Sequence, residues 1–156
     1  MQPSKLVYSP WTKFCTTPPA TSGMPPICFT GREMLTDAGE PIAAAALIEP
    51  AGSDKRIFRV TVPAPVQLRY GTRLIIDRGA PLTAPYFTCS GDSCIADYDL
   101  GVELLAKLKA GQTLEIQAIE LNEKPISFDF SLGDFAKAAD GPASENPKGP
   151  AGGLKK

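Results

Sequence analysis

The sequence contains no histidine. Without an imidazole, the chain cannot form a Ser–His–Asp or Cys–His nucleophile, and a metal site in it would have no histidine ligand. This absence lowers the expectation of hydrolytic catalysis. No apolar run approaches the roughly 20 residues that a membrane-spanning helix requires, so the sequence predicts no transmembrane segment.

The sequence also lacks any concentration of charge. Its 16 basic and 17 acidic side chains are scattered, which gives a net charge of −1 without a basic stripe. A nucleic-acid partner is therefore not expected. The opening MQPSKLVYSPW has no charged region followed by an apolar one. It therefore leaves two alternatives, a cytosolic protein or a mature exported domain.

Strand composition dominates the rest of the chain. Sixteen prolines separate short segments of alternating polarity. One such alternation places Phe58, Val60 and Val62 on a common face, as in a strand with one side in a core. A second strand, residues 125–132, shows the same alternation. Its apolar face would comprise Ile126, Phe128, Phe130 and Leu132. The nine predicted strands are residues 10–15, 27–35, 44–50, 56–63, 72–77, 85–89, 94–100, 113–121 and 125–132.

This pattern predicts an all-β fold, a β-sandwich of about nine short strands with one or two short helices. A length of 156 residues suits one domain with a real core and leaves little room for a second. The segment LNEKP, residues 121–125, is interpreted as a hairpin loop between two strands. We therefore predict a single β-sandwich domain over residues 1–140.

Two short helices are predicted. The first is LGVELLAKLKAG, residues 100–111, with Asp99 as a possible cap and Gly111 as its C-terminal stop. Its apolar face would comprise Val102, Leu105 and Leu108. The second helix is LGDFAKAAD, residues 132–140, which would place Phe135 under a sheet edge. Beyond it, residues 141–156 contain one large apolar side chain and are predicted to be a disordered tail.

The four cysteines fall at positions 15, 28, 89 and 94. Neither spacing is the C-x-x-C of a redox pair, and Asp92 would oppose a thiolate. Zinc sites usually have two short knuckles, which are absent here. An even count allows two disulfides in three connectivities, and the spacing favours Cys89–Cys94 and Cys15–Cys28. Chain entropy assigns about 2 kcal/mol to the short ring and about 3 kcal/mol to the longer one.

Disulfides persist in oxidising compartments, so this interpretation predicts an exported protein. Its localisation would be periplasmic, secreted or at the outer surface. No cofactor and no metal site is predicted. The Asp92, Asp97 and Asp99 carboxylates lack the spacing of a calcium loop.

Other candidate sites are less specific. Carboxylates at Asp129 and Asp134, or at Glu115 and Glu120, could in principle do acid–base work, but a solvated face is the better interpretation. Trp11 is expected to be a buried anchor. The segment RYGTRLIIDRG gives a possible interaction surface for an anion or an acidic partner. That surface would comprise Arg69, Tyr70, Arg73 and Arg78.

The order of motifs resembles the invasion-associated locus B family. An early WTKFC and ICFTGREM match its start, and the stretch from VTVPAPVQLRYGTRLIID through CSGDSC to the helix ELLAKLKAG follows its middle. The ending ISFDFSLGDFAKA resembles the closing signature of the family, with Asp134 where glycine is usual. The resemblance covers about residues 10–139. The four cysteines match the family position by position.

The resemblance implies a secreted or envelope-associated protein of Gram-negative bacteria, made with a signal peptide and without established catalytic activity. Founding members of the family are linked to the invasion of host red cells. We therefore expect a binding module whose partner is an unknown protein, in the cell envelope or on a host surface. The Cys89–Cys94 loop is a second candidate contact.

Two other classes stay open: an enzyme that uses carboxylates or a metal, and a structural envelope protein that assembles with itself. The protein is expected to be a monomer or a homodimer.

Overall fold

A computed structural model describes residues 5–144. This part of the chain forms eleven strands and two short α-helices. The strands are β1 (Leu6–Tyr8), β2 (Thr12–Cys15), β3 (Ile27–Thr36), β4 (Pro41–Pro50), β5 (Ile57–Pro63), β6 (Thr72–Ile76), β7 (Leu82–Ala84), β8 (Tyr86–Ser90), β9 (Ser93–Asp99), β10 (Thr113–Ile119) and β11 (Pro125–Ser131). The helices are α1 (Val102–Ala110) and α2 (Phe135–Asp140).

The strands form two antiparallel sheets. The larger sheet, sheet A, has the order β1-β3-β4-β5-β9-β8, with β2 also pairing with β3. The smaller, sheet B, has the order β11-β10-β6-β7. Buried side chains from both sheets form one core cluster. The predicted all-β sandwich with short helices is therefore confirmed.

Alternation of apolar residues decides which face of each strand is buried. Phe58, Val60 and Val62 of β5 are fully buried, and the residues between them are half-buried. On β11 the predicted apolar face also points inward, since Phe128 and Phe130 are buried while their neighbours are exposed. Strands β1 and β7 were not predicted. Each has three residues, too few to display a period of two.

A cluster of aromatic rings joins the two sheets to α2. Trp11 is buried, as predicted, and its ring lies 4.9 Å from that of Phe135 in an edge-to-face arrangement. The ring of Phe135 also lies edge-to-face with that of Phe58 in sheet A, with 6.4 Å between the ring centres. The Trp11 indole N–H donates to the Ser131 carbonyl of sheet B at 2.7 Å. The prediction that Phe135 lies under a sheet edge is consistent with these contacts.

Helix α1 corrects two predictions. Asp99 does not cap it, because Asp99 ends β9 and the cap residue is Gly101, without a side-chain hydrogen bond. Val102 is 81% exposed and is not on the buried face, which contains Leu108. Gly111 does end the helix, but its φ of −78° is not left-handed. A Cβ there would lie 2.8 Å from the Lys107 carbonyl oxygen, so close packing is what favours glycine.

Helix α2 begins at Phe135, three residues later than predicted. The Asp134 substitution is compatible with its start, because Asp134 has a φ of −108°, which does not require glycine. The Lys13 ammonium donates to the carbonyls of Ala139 and Gly141 at the end of the helix. Such a cation is favourable at a helix C-terminus.

The segment after α2 continues along sheet A, where the Ser144 N–H donates to the Lys13 carbonyl at 2.7 Å. Most of the predicted disordered tail, residues 145–156, lies outside the described residues. The predicted domain limits therefore stay a prediction.

Replacement of Phe135 by alanine should lower the free energy of unfolding by about 3–5 kcal/mol, because the ring fills the space between Trp11 and Phe58. Urea unfolding followed by tryptophan fluorescence measures this change. Phe87→Ala is the matched control, because Phe87 is exposed and its loss should cost no more than about 0.5 kcal/mol. Equal effects of the two substitutions would contradict the assigned core.

Candidate functional site

The structure pairs all four cysteines. Disulfides join Cys15 to Cys28 and Cys89 to Cys94, the pairs that the spacing favours, and no cysteine is a free thiol. In each pair the two residues are directly opposite on adjacent antiparallel strands. The stretch CSGDSC is therefore the end of the β8–β9 hairpin. Gly91 lies in its turn with a φ of +60°, a value that glycine adopts without strain.

Phe87 is the most exposed aromatic side chain of the described residues, at 68%. It lies on β8 at a register shift between Tyr86 and Thr88, close to the Cys89–Cys94 disulfide. The Arg59 guanidinium lies 5.8 Å from the centre of its ring. We call Phe87, Thr88, Arg59 and Asp97 the Phe87 surface.

Arg59 is held in place by Asp97. Its Nε and Nη2 donate to the two carboxylate oxygens of Asp97 at 2.8 and 3.0 Å. The hydrogen bonds to Asp97 raise the pKa of Arg59 above its ordinary value. A bidentate pair fixes the plane of a guanidinium, so Arg59 presents a defined face to the Phe87 ring.

The arginine segment is divided by the fold. Arg69 and Tyr70 lie in a 3-10 turn before β6, whereas Arg78 follows the other end of that strand. The five residues of β6 separate the two ends by about 16 Å. Arg73 lies within β6 and is exposed. The four residues do not form one patch, and their role in binding stays a prediction.

Arg69 and Tyr70 form a smaller surface of their own. The Arg69 guanidinium donates to the Tyr70 hydroxyl at 3.2 Å and to Glu123 at 3.0 Å, and it lies 5.0 Å from the Tyr70 ring centre. Leu68 and Leu121 are both more than half exposed. The Ala64 N–H donates to the Asp92 carbonyl. This hydrogen bond ties the loop that leads to Arg69 to the tip of the disulfide hairpin.

The carboxylates considered in the sequence analysis include one pair that the structure brings together. Glu115 lies directly opposite Asp129 on neighbouring strands of sheet B. The predicted hairpin loop at 121–125 contained this information, because pairing outward from that loop places both residues on the same face. Asp97 is engaged by Arg59, and residues 5–144 contain no group of three or more metal-binding side chains.

Asp77 fixes the turn between β6 and β7. Its carboxylate accepts hydrogen bonds from the backbone N–H groups of Gln112 and Thr113 at 2.9 and 3.0 Å. These bonds lower the pKa of Asp77. No local pattern predicts this contact, because residues 77 and 112 are distant in the chain. The turn contains two residues with positive φ, Asp77 and Arg78.

Acidification should weaken the contribution of Asp77. Because its pKa is lower in the folded chain, the stabilisation is complete above the unfolded pKa of about 3.9 and is lost as pH falls through the folded pKa. Asp77→Ala should lower Tm at pH 7. The difference in Tm between this variant and the parent should be smaller at pH 2.5. Thermal unfolding by circular dichroism measures both values. Asp54→Ala, at an exposed loop position, is the control, and an equal Tm loss there would refute the assignment.

None of the helices in residues 5–144 combines the length and the hydropathy that a membrane-spanning helix requires.

Comparisons with known proteins give consistent matches. The family model described as invasion associated locus B (IalB) protein matches residues 11–143. The invasion protein B homologues of two Brucella abortus strains, 2308 and biovar 1 strain 9-941, are each 27% identical to this chain over 135 residues. Each match covers 85% of this chain and 75% of the homologue. The crystal structure of invasion associated protein B from Bartonella henselae aligns with a TM-score of 0.71 at 21% identity, covering 86% of this chain and 92% of that one.

Proposed function

The chain belongs to the invasion associated locus B family, and from this premise we propose that it is an extracytoplasmic binding module without catalytic activity. It contacts a partner protein through the Phe87 surface. The observation that carries the proposal is the exposed Phe87 ring on a hairpin closed by a disulfide. The partner belongs to the cell envelope or to a host cell surface.

The disulfides support an extracytoplasmic location. Both join strands of sheet A, and together they use every cysteine of the chain. A reducing cytosol would open such bonds, whereas a periplasm or an extracellular medium preserves them. The names of the Brucella and Bartonella relatives connect those proteins with invasion. By analogy with these relatives, we propose that this chain contacts another cell.

The Phe87 surface supports the binding role. Burial of a phenylalanine ring against a partner removes a large apolar area from water. The ring is also preorganised, because the disulfide restricts β8 and the Asp97 pair restricts Arg59. Preorganisation lowers the entropy lost on association. Aromatic and arginine side chains side by side are typical of the residues that dominate binding energy.

Photo-crosslinking tests this proposal. A photoreactive phenylalanine analogue is placed at position 87 of the full chain, expressed in the bacterium that encodes it. Irradiation should give a discrete adduct with another protein, identified by mass spectrometry. The matched control carries the analogue at Val102, which is 81% exposed on α1 and should give no such adduct.

Two further variants test whether the crosslink at position 87 depends on Arg59. Arg59→Ala should reduce the adduct at position 87 several-fold, because the ring loses its stacked cation. Arg69→Ala should leave it unchanged. An adduct of two copies of this chain would favour the structural, self-assembling alternative. The same adduct from positions 87 and 102, or none from either, would contradict the Phe87 surface.

A further inference from the structure

A groove of about 520 Å³ crosses the outer face of sheet B and reaches β1 and β3 of sheet A. Its floor includes Ile75, Glu115 and Asp129, which lie side by side on β6, β10 and β11. Tyr8 and Arg32 form one end, and Arg78 contributes at the β6–β7 turn. The volume is within the range of ligand clefts, about 300–1,000 Å³. This groove shares no residue with the Phe87 surface.

Two acidic residues lie opposite each other on the groove floor. Glu115 and Asp129 are directly opposite across an antiparallel pair, which places their Cβ atoms about 5 Å apart. Like charges in this position destabilise a sheet. Among the described residues, neither carboxylate forms a salt bridge. Glu115 is oriented by Gln117 and Ser127, which each donate to its Oε2 at 2.8 Å.

The two arginines of the groove differ in their hydrogen bonds. Arg32 is engaged, because its Nε and Nη1 donate to the carbonyls of Ser9 and Ser131 and its guanidinium stacks on Tyr8 at 4.9 Å. Arg78 has no hydrogen bond or salt bridge to a described residue. Its φ of +61° places it in the left-handed region, which is unfavourable for a residue with a Cβ.

We propose that this groove binds an extended segment of a partner protein that carries an arginine, with the guanidinium between the carboxylates of Glu115 and Asp129. An acidic residue near that arginine would pair with Arg78. The charges of the groove are complementary to such a segment, since two anions lie on its floor and Arg78, which has no partner among the described residues, lies at the β6–β7 turn. The inference is independent of the Phe87 surface, so failure of the crosslink at position 87 leaves it standing.

The groove chemistry favours a peptide over a small apolar ligand. Small-molecule sites are mostly apolar and enclosed, whereas this groove is open and carries four charged side chains. A guanidinium also suits the site better than a metal ion. It is planar and can donate to both carboxylates at once. Two carboxylates supply at most four of the six to eight oxygen ligands that calcium takes.

Two peptides test the proposal. The probe is the capped peptide acetyl-Ala-Arg-Ala-Glu-Ala-amide, and its control replaces arginine by citrulline, which has the same shape without the charge. Each is titrated into the ¹⁵N-labelled full chain and followed by NMR. The arginine peptide should shift the amide signals of β10, β11 and the β6–β7 turn, and the citrulline peptide should bind at least tenfold more weakly.

Variants locate the effect within the groove. Glu115→Gln together with Asp129→Asn should weaken the arginine peptide at least tenfold and leave Tm equal or higher, because a like-charge pair is removed. Arg78→Ala should weaken it less, and a peptide with glutamine in place of glutamate should bind this variant and the parent equally. Glu120→Gln is the control outside the groove.

Three results would overturn the proposal: equal binding of both peptides, signal shifts confined to other surfaces, or an unchanged affinity in the Glu115→Gln and Asp129→Asn variant. Calcium chloride is titrated separately. Calcium shifts at Glu115 and Asp129, without any response to the arginine peptide, would assign the carboxylates to a cation instead and also overturn it.

Discussion

Two cross-strand disulfides fix the register of two strand pairs of sheet A, β2 with β3 and β8 with β9. Cys15 faces Cys28 and Cys89 faces Cys94, so each bond fixes which residues of two neighbouring strands are opposite each other. A slip of one residue would turn every side chain of a strand to the other face. The constraint is most important for β2 and β3, because the loop of residues 16–26 between them is too long to fix a register by its turn.

The disulfide register in turn positions the core and the surface. With β2 fixed on β3, Trp11 precedes β2 at the place where its indole reaches Phe135 and the Ser131 carbonyl of sheet B. With β8 fixed on β9, Cys94 and Ala96 are buried while Phe87 stays exposed. The β2–β3 pairing therefore positions a contact between the two sheets, and the β8–β9 pairing presents an exposed aromatic ring.

Much of this architecture was predictable from local sequence, because the relevant signals are periodic. The alternation around Phe58 and around Phe128 gave the correct buried faces, and the close spacing of Cys89 and Cys94 favoured their pairing. Strands β1 and β7 were missed because three residues carry no usable period. Asp99 was wrongly expected to cap α1, since β9 extends through that residue and a cap cannot be distinguished from a strand end by composition.

The candidate sites were less predictable, because they depend on contacts between distant segments. Arg69 and Arg78 are near in sequence, yet β6 separates them. Glu115 and Asp129 are 14 positions apart, yet a hairpin brings them opposite each other. The contact of Arg59 with Asp97 and Phe87 required the pairing of β5 with β9 and of β9 with β8. Sequence reasoning singled out three of these carboxylates but neither Phe87 nor Arg59, and it could not assign the partners of any of them.

We propose that this chain works outside the cytoplasm with both of its disulfides formed. The most direct measurement is the redox state of its cysteines in living cells, by acid quenching, alkylation with a heavy maleimide and peptide mapping. The account predicts that no cysteine is alkylated before reduction and that linked peptides contain Cys15 with Cys28 and Cys89 with Cys94. Four alkylated thiols in protein taken directly from its native compartment would contradict it.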